Sequence, residues 1–176
     1  MLNMYQDKLA NLYEGMTEHE HQRELFSWAA CAQRYGIEES LMWVLQEPRT
    51  IKRDNGRLRG LLTDRGDSRL VWLHSIPNSG HGKKGTAGAV RGARMKAEGL
   101  KPGVADVFLP LPCGGYHGLY LELKKAGGRL QPEQREFADY VREQGYSWFV
   151  ATGYWDAIHT ILCYLGEKQI VMKYFG

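Results

Sequence analysis

The chain has 176 residues, of which 43% are hydrophobic, and a formal net charge of +3. This length and hydrophobic content suit one globular domain with its own core, so we predict a single domain over residues 1–176. No apolar run approaches the roughly 18 residues that a membrane helix needs, and the N-terminus lacks a basic stretch followed by an apolar one, which predicts a cytoplasmic protein that does not cross a membrane.

The first predicted element is a helix from Glu18 to Arg34. Thr17 and Glu20 have the spacing of a capping box at its start. Glu18 lies in the first turn, where its carboxylate either faces a site on the sheet or only complements the helix dipole. The apolar positions recur with helical spacing at Leu25, Trp28, Ala29 and Ala32.

Two segments of different character follow this helix. Residues 37–67 begin apolar and then become basic around Asp54-Asn55-Gly56, which predicts a hairpin or a flexible excursion. Arg69 to Ile76 contains Leu70-Val71-Trp72-Leu73-His74, which predicts a mostly buried strand. Asn78 then begins a turn, either as an ordinary turn residue or as one that holds the loop near a site.

The stretch from His81 to Lys101 is strongly basic, with Glu98 as its one acidic residue. Lysines and arginines supply the salt-sensitive attraction to nucleic-acid phosphates, and glycines allow close backbone approach. A solubilising loop before the polar face of a helix, predicted from Ala87 to Gly99, is the alternative. The candidate DNA-binding residues are Asn78, His81, Lys83, Lys84, Arg91, Arg94 and Lys96.

Asp106 and Glu122 are the most informative acidic residues, because each is embedded in an apolar strand pattern. Adjacent strands would place them side by side, where like charges persist with a divalent cation or by sharing a proton. Mg²⁺ accepts such carboxylates together with waters, and the Leu123 carbonyl is a further candidate ligand. Lys124 points to the same face as Glu122. The pattern favours phosphodiester hydrolysis, with ordinary surface salt bridges as the alternative.

The remaining elements complete an α/β pattern. Gln131 and Pro132 begin a helix that continues to Gly145, Ser147–Ala151 is a buried strand, and Tyr154–Leu165 is a closing helix. The tail from Gln169 to Phe175 predicts an edge strand or a contact with a partner. The order of elements is αβββαβ with one added helix before the second strand, which describes a central mixed β-sheet flanked by helices.

These segments resemble the VRR-NUC branch of the PD-(D/E)xK nuclease superfamily, and the similarity extends over about residues 74–166. Small stand-alone members of that branch are typical of bacteriophages and prophages, which would place the protein in a bacterial host cytoplasm. Ala105 departs from the pattern, because a proline usually precedes the aspartate. Residues 37–67 are a second departure, since this segment is longer than in compact relatives, which implies an insertion. The resemblance is carried by Gly103–Asp106, Tyr116–Lys124, Gly127–Leu130 and Gln131–Gln134.

The resemblance implies a restriction-endonuclease-like fold and a Mg²⁺- or Mn²⁺-dependent DNA endonuclease. It implies that Asp106 and Glu122 bind the metal and that Lys124 is catalytic. A glutamate on the first helix would complete the metal site; Glu18 fits best, with Glu20 and Glu24 as competitors. Gln134 is implied as an accessory catalytic residue. Stand-alone relatives look like junction resolvases, so the expected substrate is branched DNA, a Holliday junction or a flap, and the expected assembly is a homodimer.

Other chemistries remain as alternatives. The run Glu18-His19-Glu20-His21 has a zinc-binding composition, but residues two apart diverge on a helix. A DNA-binding protein that keeps the nuclease fold without cleaving, and a metal-dependent hydrolase of a small substrate, are the other two function classes. The three scattered cysteines, Cys31, Cys113 and Cys163, indicate neither a disulfide framework nor a cysteine zinc site.

Overall fold

The computed structural model describes residues 15–46, 66–77 and 86–176. Within them no helix is both long and apolar enough to span a bilayer. The elements in chain order are α1 (Glu18–Tyr35), α2 (Ile37–Gln46), β1 (His74–Ser75), α3 (Thr86–Ala97), β2 (Val107–Leu109), β3 (Leu119–Lys124), α4 (Pro132–Glu143), β4 (Ser147–Thr152), α5 (Gly153–Tyr164) and α6 (Lys168–Tyr174).

A mixed four-stranded sheet organises these elements in the order β1-β2-β3-β4. The first two pairs are antiparallel, and β3 pairs with β4 in parallel. A parallel pair needs a crossover connection, and α4 supplies it between β3 and β4. The predicted α/β class, with a central mixed sheet and flanking helices, is therefore confirmed.

The two faces of β3 have different roles. Leu119, Leu121 and Leu123 point into the main core, which α1 and α5 cover. The alternate residues, Glu122 among them, point to the opposite face, on which α4 packs through Ala138 and Val141 in a smaller cluster. The strand thus separates an apolar core face from a face that carries polar and aromatic groups.

Helix α1 forms as predicted. The Thr17 hydroxyl accepts from the Glu20 N–H at 3.2 Å, and the Glu20 carboxylate accepts from the Thr17 N–H at 2.8 Å, which closes the capping box. Its apolar stripe is buried against the sheet. His21 lies on the buried side of the helix at 2% exposure, whereas His19 is exposed. The two imidazoles therefore point in different directions, as the sequence argument against a zinc pair requires.

Acidification is expected to destabilise the fold through His21. Burial lowers the pKa of His21, although Glu20 and Glu18 oppose this. The unfolded chain binds the proton more tightly, so the free energy of unfolding is highest above pH ~6.5 and falls as the pH drops below it, by up to about 1.4 kcal/mol per pH unit. Urea unfolding on both sides of that pH measures the slope. His21→Leu should flatten it and His19→Leu should not; an unchanged slope in His21→Leu would contradict the assignment.

The strand predicted over Arg69–Ile76 is mostly wrong. Ser68–Leu70 form a 3₁₀ turn, and only His74–Ser75 are in a strand. The cause is local: the Asp67 side chain accepts from the Arg69 N–H at 2.9 Å and pairs with its guanidinium at 2.6 Å, which stabilises a turn in place of an extended chain.

Two further segments form helices where the sequence predicted other structures. Residues 37–46, expected in a hairpin or excursion, form α2, because Gly36 ends α1 at φ +95° and the following apolar residues have helical spacing. The rest of that segment, residues 47–65, lies outside the described residues. The tail forms α6 and not an edge strand, since its apolar residues pack on the main core one helical turn apart. These residues are Ile170, Val171 and Tyr174.

Candidate active site

The site begins where β3 extends beyond β2. The ladder between the two strands stops at the pair Val107 and Leu121, and Asp106 lies in the bend just before β2. The Asp106 carboxylate accepts the Leu123 N–H at 2.9 Å, so the side chain replaces the missing strand as the acceptor. The N–H and C=O of one strand residue point to the same neighbour, so the Leu123 carbonyl is directed to the same gap.

Glu122 is the buried centre of the site, with 1% of its surface exposed. Its Oε1 accepts a hydrogen bond from Lys124 Nζ at 2.8 Å and another from the Gln134 side-chain amide. Gln134 is itself oriented, because its Oε1 accepts from the Gln131 N–H at 2.9 Å in the capping box of α4. The structure thus brings the acid, the lysine and the accessory glutamine of the sequence prediction into direct contact.

The electrostatics of Glu122 are set by burial and by Asp106. Burial first, and then the Asp106 carboxylate, raise the pKa of Glu122 to about 7, while Lys124 opposes the shift. The second oxygen, Oε2, is buried and has no hydrogen-bond partner in the described part of the chain. An oxygen in this state carries a desolvation cost that a cation or a proton relieves.

This donor set fits a hard divalent cation. Two carboxylates and one backbone carbonyl resemble the ligands that Mg²⁺ takes, with waters completing its shell. Among the described residues, no three His, Cys, Asp or Glu side chains form a ready-made metal site. The arrangement therefore suits an open, partly hydrated ion and not a closed zinc site.

Glu18 lies near this centre without forming part of its contacts. It is exposed in the first turn of α1, and its charge is the weakest of the influences that raise the pKa of Glu122. Of its competitors, Glu20 uses its carboxylate in the capping box with Thr17. Glu18 as the completing ligand stays a prediction.

The candidate DNA-binding residues are only partly within the described chain. Asn78, His81, Lys83 and Lys84 lie outside it, and Arg91 belongs to α3 without a described side chain. Two members can be placed on the exposed surface of α3. These are Lys96 and Arg94, whose guanidinium pairs with Glu98 at 2.8 Å.

Sequence reasoning missed the role of Gly128, which packs directly on the lysine. A Cβ at Gly128 would lie 2.9 Å from the Lys125 carbonyl oxygen and 3.2 Å from Lys124 Cβ. The Gly128 N–H also donates to that carbonyl at 2.9 Å, closing the turn after β3. The glycine pair beside Arg129 was visible in the sequence, but only the folded turn shows which of the two glycines contacts the lysine stem.

With Lys124 as the catalytic residue that the sequence resemblance implies, Gly128→Ala is expected to slow DNA cleavage by about tenfold or more, because a small displacement of such a group is costly. The added methyl would lie closest to the Lys125 carbonyl oxygen and to the stem of Lys124, so the turn and the lysine must both shift slightly, whereas DNA affinity should stay unchanged. Gly127→Asn is the matched control: Gly127 has φ +75° and open space around its Cβ position, and asparagine tolerates that backbone. Single-turnover rates for both variants test this; equal rates would contradict it.

Comparison with known proteins agrees with this geometry. A family model of the VRR-NUC domain matches residues 65–155, a range that includes Asp106, Glu122 and Lys124. The chain belongs to the VRR-NUC family. This family is of nuclease type, so the chain has a nuclease-type function and DNA is the implied substrate.

A solved structure described as a VRR_NUC domain protein is similar to the chain in fold. The two share 24% sequence identity with a TM-score of 0.56, and the match covers 86% of this chain and 90% of that chain. No curated protein matches the chain. The family model thus shows the family, and the structural comparison shows the same fold.

Proposed function

We propose that the protein is a Mg²⁺- or Mn²⁺-dependent endodeoxyribonuclease that hydrolyses phosphodiester bonds at the polar face of β3. The observation that carries the proposal is the buried Glu122 carboxylate. Lys124 and Gln134 hold its Oε1, while Oε2 has no hydrogen-bond partner among the described residues. A buried carboxylate oxygen without a hydrogen-bond partner carries a desolvation cost, and a bound positive charge would relieve that cost.

Asp106, Glu122 and the Leu123 carbonyl would hold the cation, and Glu18 would complete the set. When bound, a divalent cation supplies polarisation of the phosphoryl oxygen and a lower pKa for the attacking water. The Asp106 carboxylate also accepts a hydrogen bond from the Leu123 N–H. The carboxylate thus fixes the strand segment from which the carbonyl is presented.

Lys124 would act on the substrate from the same face. An ammonium group has three N–H donors, so it can hold Glu122 at 2.8 Å and also donate to a water or a phosphate oxygen. Negative charge grows on the phosphate oxygens during hydrolysis, and a fixed donor in a buried site stabilises it. Gln134 donates to the same Oε1 of Glu122, so this acid keeps its orientation, with Oε2 available for the cation, while the lysine acts.

We further propose that the substrate is branched DNA, a Holliday junction or a flap, and that the protein works as a homodimer. A junction needs two coordinated cuts, which suits a pair of sites related by two-fold symmetry. The basic residues from His81 to Lys96 would contact the DNA backbone, where salt-sensitive attraction gives affinity without reading the sequence.

The test uses the full-length chain with end-labelled four-way junction, flap and linear duplex DNA. In Mg²⁺ or Mn²⁺ we expect nicking near the branch point and slower nicking of the linear duplex, with no product in EDTA. Cleavage in EDTA, or no cleavage of any substrate with either ion, would contradict the proposal of a metal-dependent nuclease. Equal rates on linear and branched DNA would reject only the substrate class. Sedimentation equilibrium measures the assembly, and a monomer bound to a junction would reject the homodimer.

A further inference from the structure

A row of aromatic side chains crosses the sheet beside the two carboxylates. His74 of β1 is the cross-strand partner of Phe108, and Phe108 is the partner of Tyr120. Directly opposed residues point to the same face of a sheet. Asp106 lies two residues before Phe108, and Glu122 lies two residues after Tyr120, so the row and the acids share one face about 7 Å apart.

Only one end of this row is covered by a helix of the described chain. Tyr120 is also the partner of Trp148, which is buried at 5% exposure in the cluster with Val141 of α4. Tyr120 and Phe108 are half-buried, and His74 is exposed. The exposed surface of the row therefore increases from β4 toward β1, away from α4.

The rings at the open end are fixed in place. Phe108 and Tyr120 are stacked with centroids 4.3 Å apart and an interplanar angle of 21°, and Tyr146 contacts both at 6.0 and 5.4 Å. The other side of Phe108 meets the His74 ring, with centroids 5.7 Å apart and 89° between the planes, and His74 Nδ1 forms a hydrogen bond of 2.8 Å with the Trp72 carbonyl oxygen. The exposed ring of the row is therefore His74. Phe108 also lies against Gly118, where a Cβ would come within 2.9 Å of the ring. A ligand that meets these rings would not have to order them, which lowers the cost of binding.

Building on the proposed nuclease function, we propose that the exposed His74 ring, at the open end of this row, is a stacking platform for one or two unpaired bases of the DNA strand whose phosphate reaches the carboxylates. Every base has a flat face that stacks on aromatic rings without regard to sequence. A base within a duplex is already stacked and paired, so the platform selects DNA with unpaired nucleotides beside the cut. The row has no carboxylate of its own that would repel the strand.

The experiment places 2-aminopurine at successive positions across the branch point of a flap and measures its fluorescence with full-length protein in EDTA, where no cleavage is expected. We expect quenching at one or two unpaired positions and at none in linear duplex. His74→Ala should abolish this quenching and weaken flap binding at least about fivefold, while His74→Phe should preserve both. Phe149→Leu is the matched control, because Phe149 is 49% exposed on the opposite face of the sheet.

The outcomes separate this inference from the proposed function. Cleavage in Mg²⁺ together with no quenching, or with equal quenching in His74→Ala, overturns the platform and leaves the nuclease. Quenching that depends on His74 together with no cleavage in either ion supports the platform and overturns the nuclease. Circular dichroism establishes that the variants are folded, as expected for an exposed position. Should His74→Ala unfold, His74→Leu takes its place: loss of quenching supports the platform and unchanged quenching overturns it.

Discussion

Lys124→Met should slow DNA cleavage by roughly 10²- to 10³-fold, the cost of removing one fixed charge-stabilising donor. Methionine keeps the apolar stem of the lysine, whose side chain is 10% exposed, but lacks the ammonium that lies 2.8 Å from Glu122. DNA affinity should change little, because the group is buried and acts on one phosphate. Single-turnover cleavage in Mg²⁺ and fluorescence anisotropy in EDTA measure the two effects separately.

Lys173→Met is the matched control, since Lys173 also pairs with a glutamate, Glu38, but its side chain is 61% exposed. Its rate should equal that of the unsubstituted protein. Losing the lysine removes the influence that lowers the pKa of Glu122, so this acid should take up a proton more readily and the protein should remain folded. A Lys124→Met rate within a few-fold of the unsubstituted protein would remove the lysine from the mechanism.

Asp106→Asn should produce a loss of cleavage of similar size, about 10²-fold or more, through weaker cation binding. The asparagine oxygen can still accept the Leu123 N–H that Asp106 accepts at 2.9 Å, so the strand geometry is kept while the charge is removed. Titration calorimetry with Mn²⁺ should show at least about tenfold lower affinity, since ligand charge sets the affinity of such sites.

The matched control for this substitution is Asp139→Asn on α4, whose side chain is 76% exposed. It should bind Mn²⁺ and cleave normally. Removing the Asp106 charge should also lower the pKa of Glu122, because that carboxylate is the second cause of its rise after burial. Unchanged Mn²⁺ affinity and cleavage in Asp106→Asn would show that the acid only supports the strand.

The core of the site could be predicted because it depends on a short-range rule. Alternation along one strand places Glu122 and Lys124 on the same face whatever surrounds them. Asp106 required one more step, the pairing of β2 with β3, and the turn-rich segment between them made that pairing predictable. The resemblance to a family added Gln134, whose contact with Glu122 crosses from helix to sheet.

The errors occurred where a local interaction or a tertiary contact decided the structure. Leu70 to His74 had the composition of a strand, but Asp67 and Arg69 close a turn that the apolar pattern does not reveal. The tail had few residues and an ambiguous period, and packing on the main core made it helical. The aromatic row could have been found by applying the same alternation to Phe108 and Tyr120 together, once their strands were paired.

Gln134 connects the start of α4 to the buried acid, and this has a consequence for how the enzyme loses activity. The same amide group closes the first turn of α4 with Gln131 and holds Glu122. Helix ends open at far lower free energies than the body of a fold. Brief fraying of this one turn would remove one of the two hydrogen bonds on Glu122 Oε1 and leave the acid held by Lys124 alone while the sheet is intact. Mild heating should therefore reduce activity before the protein unfolds.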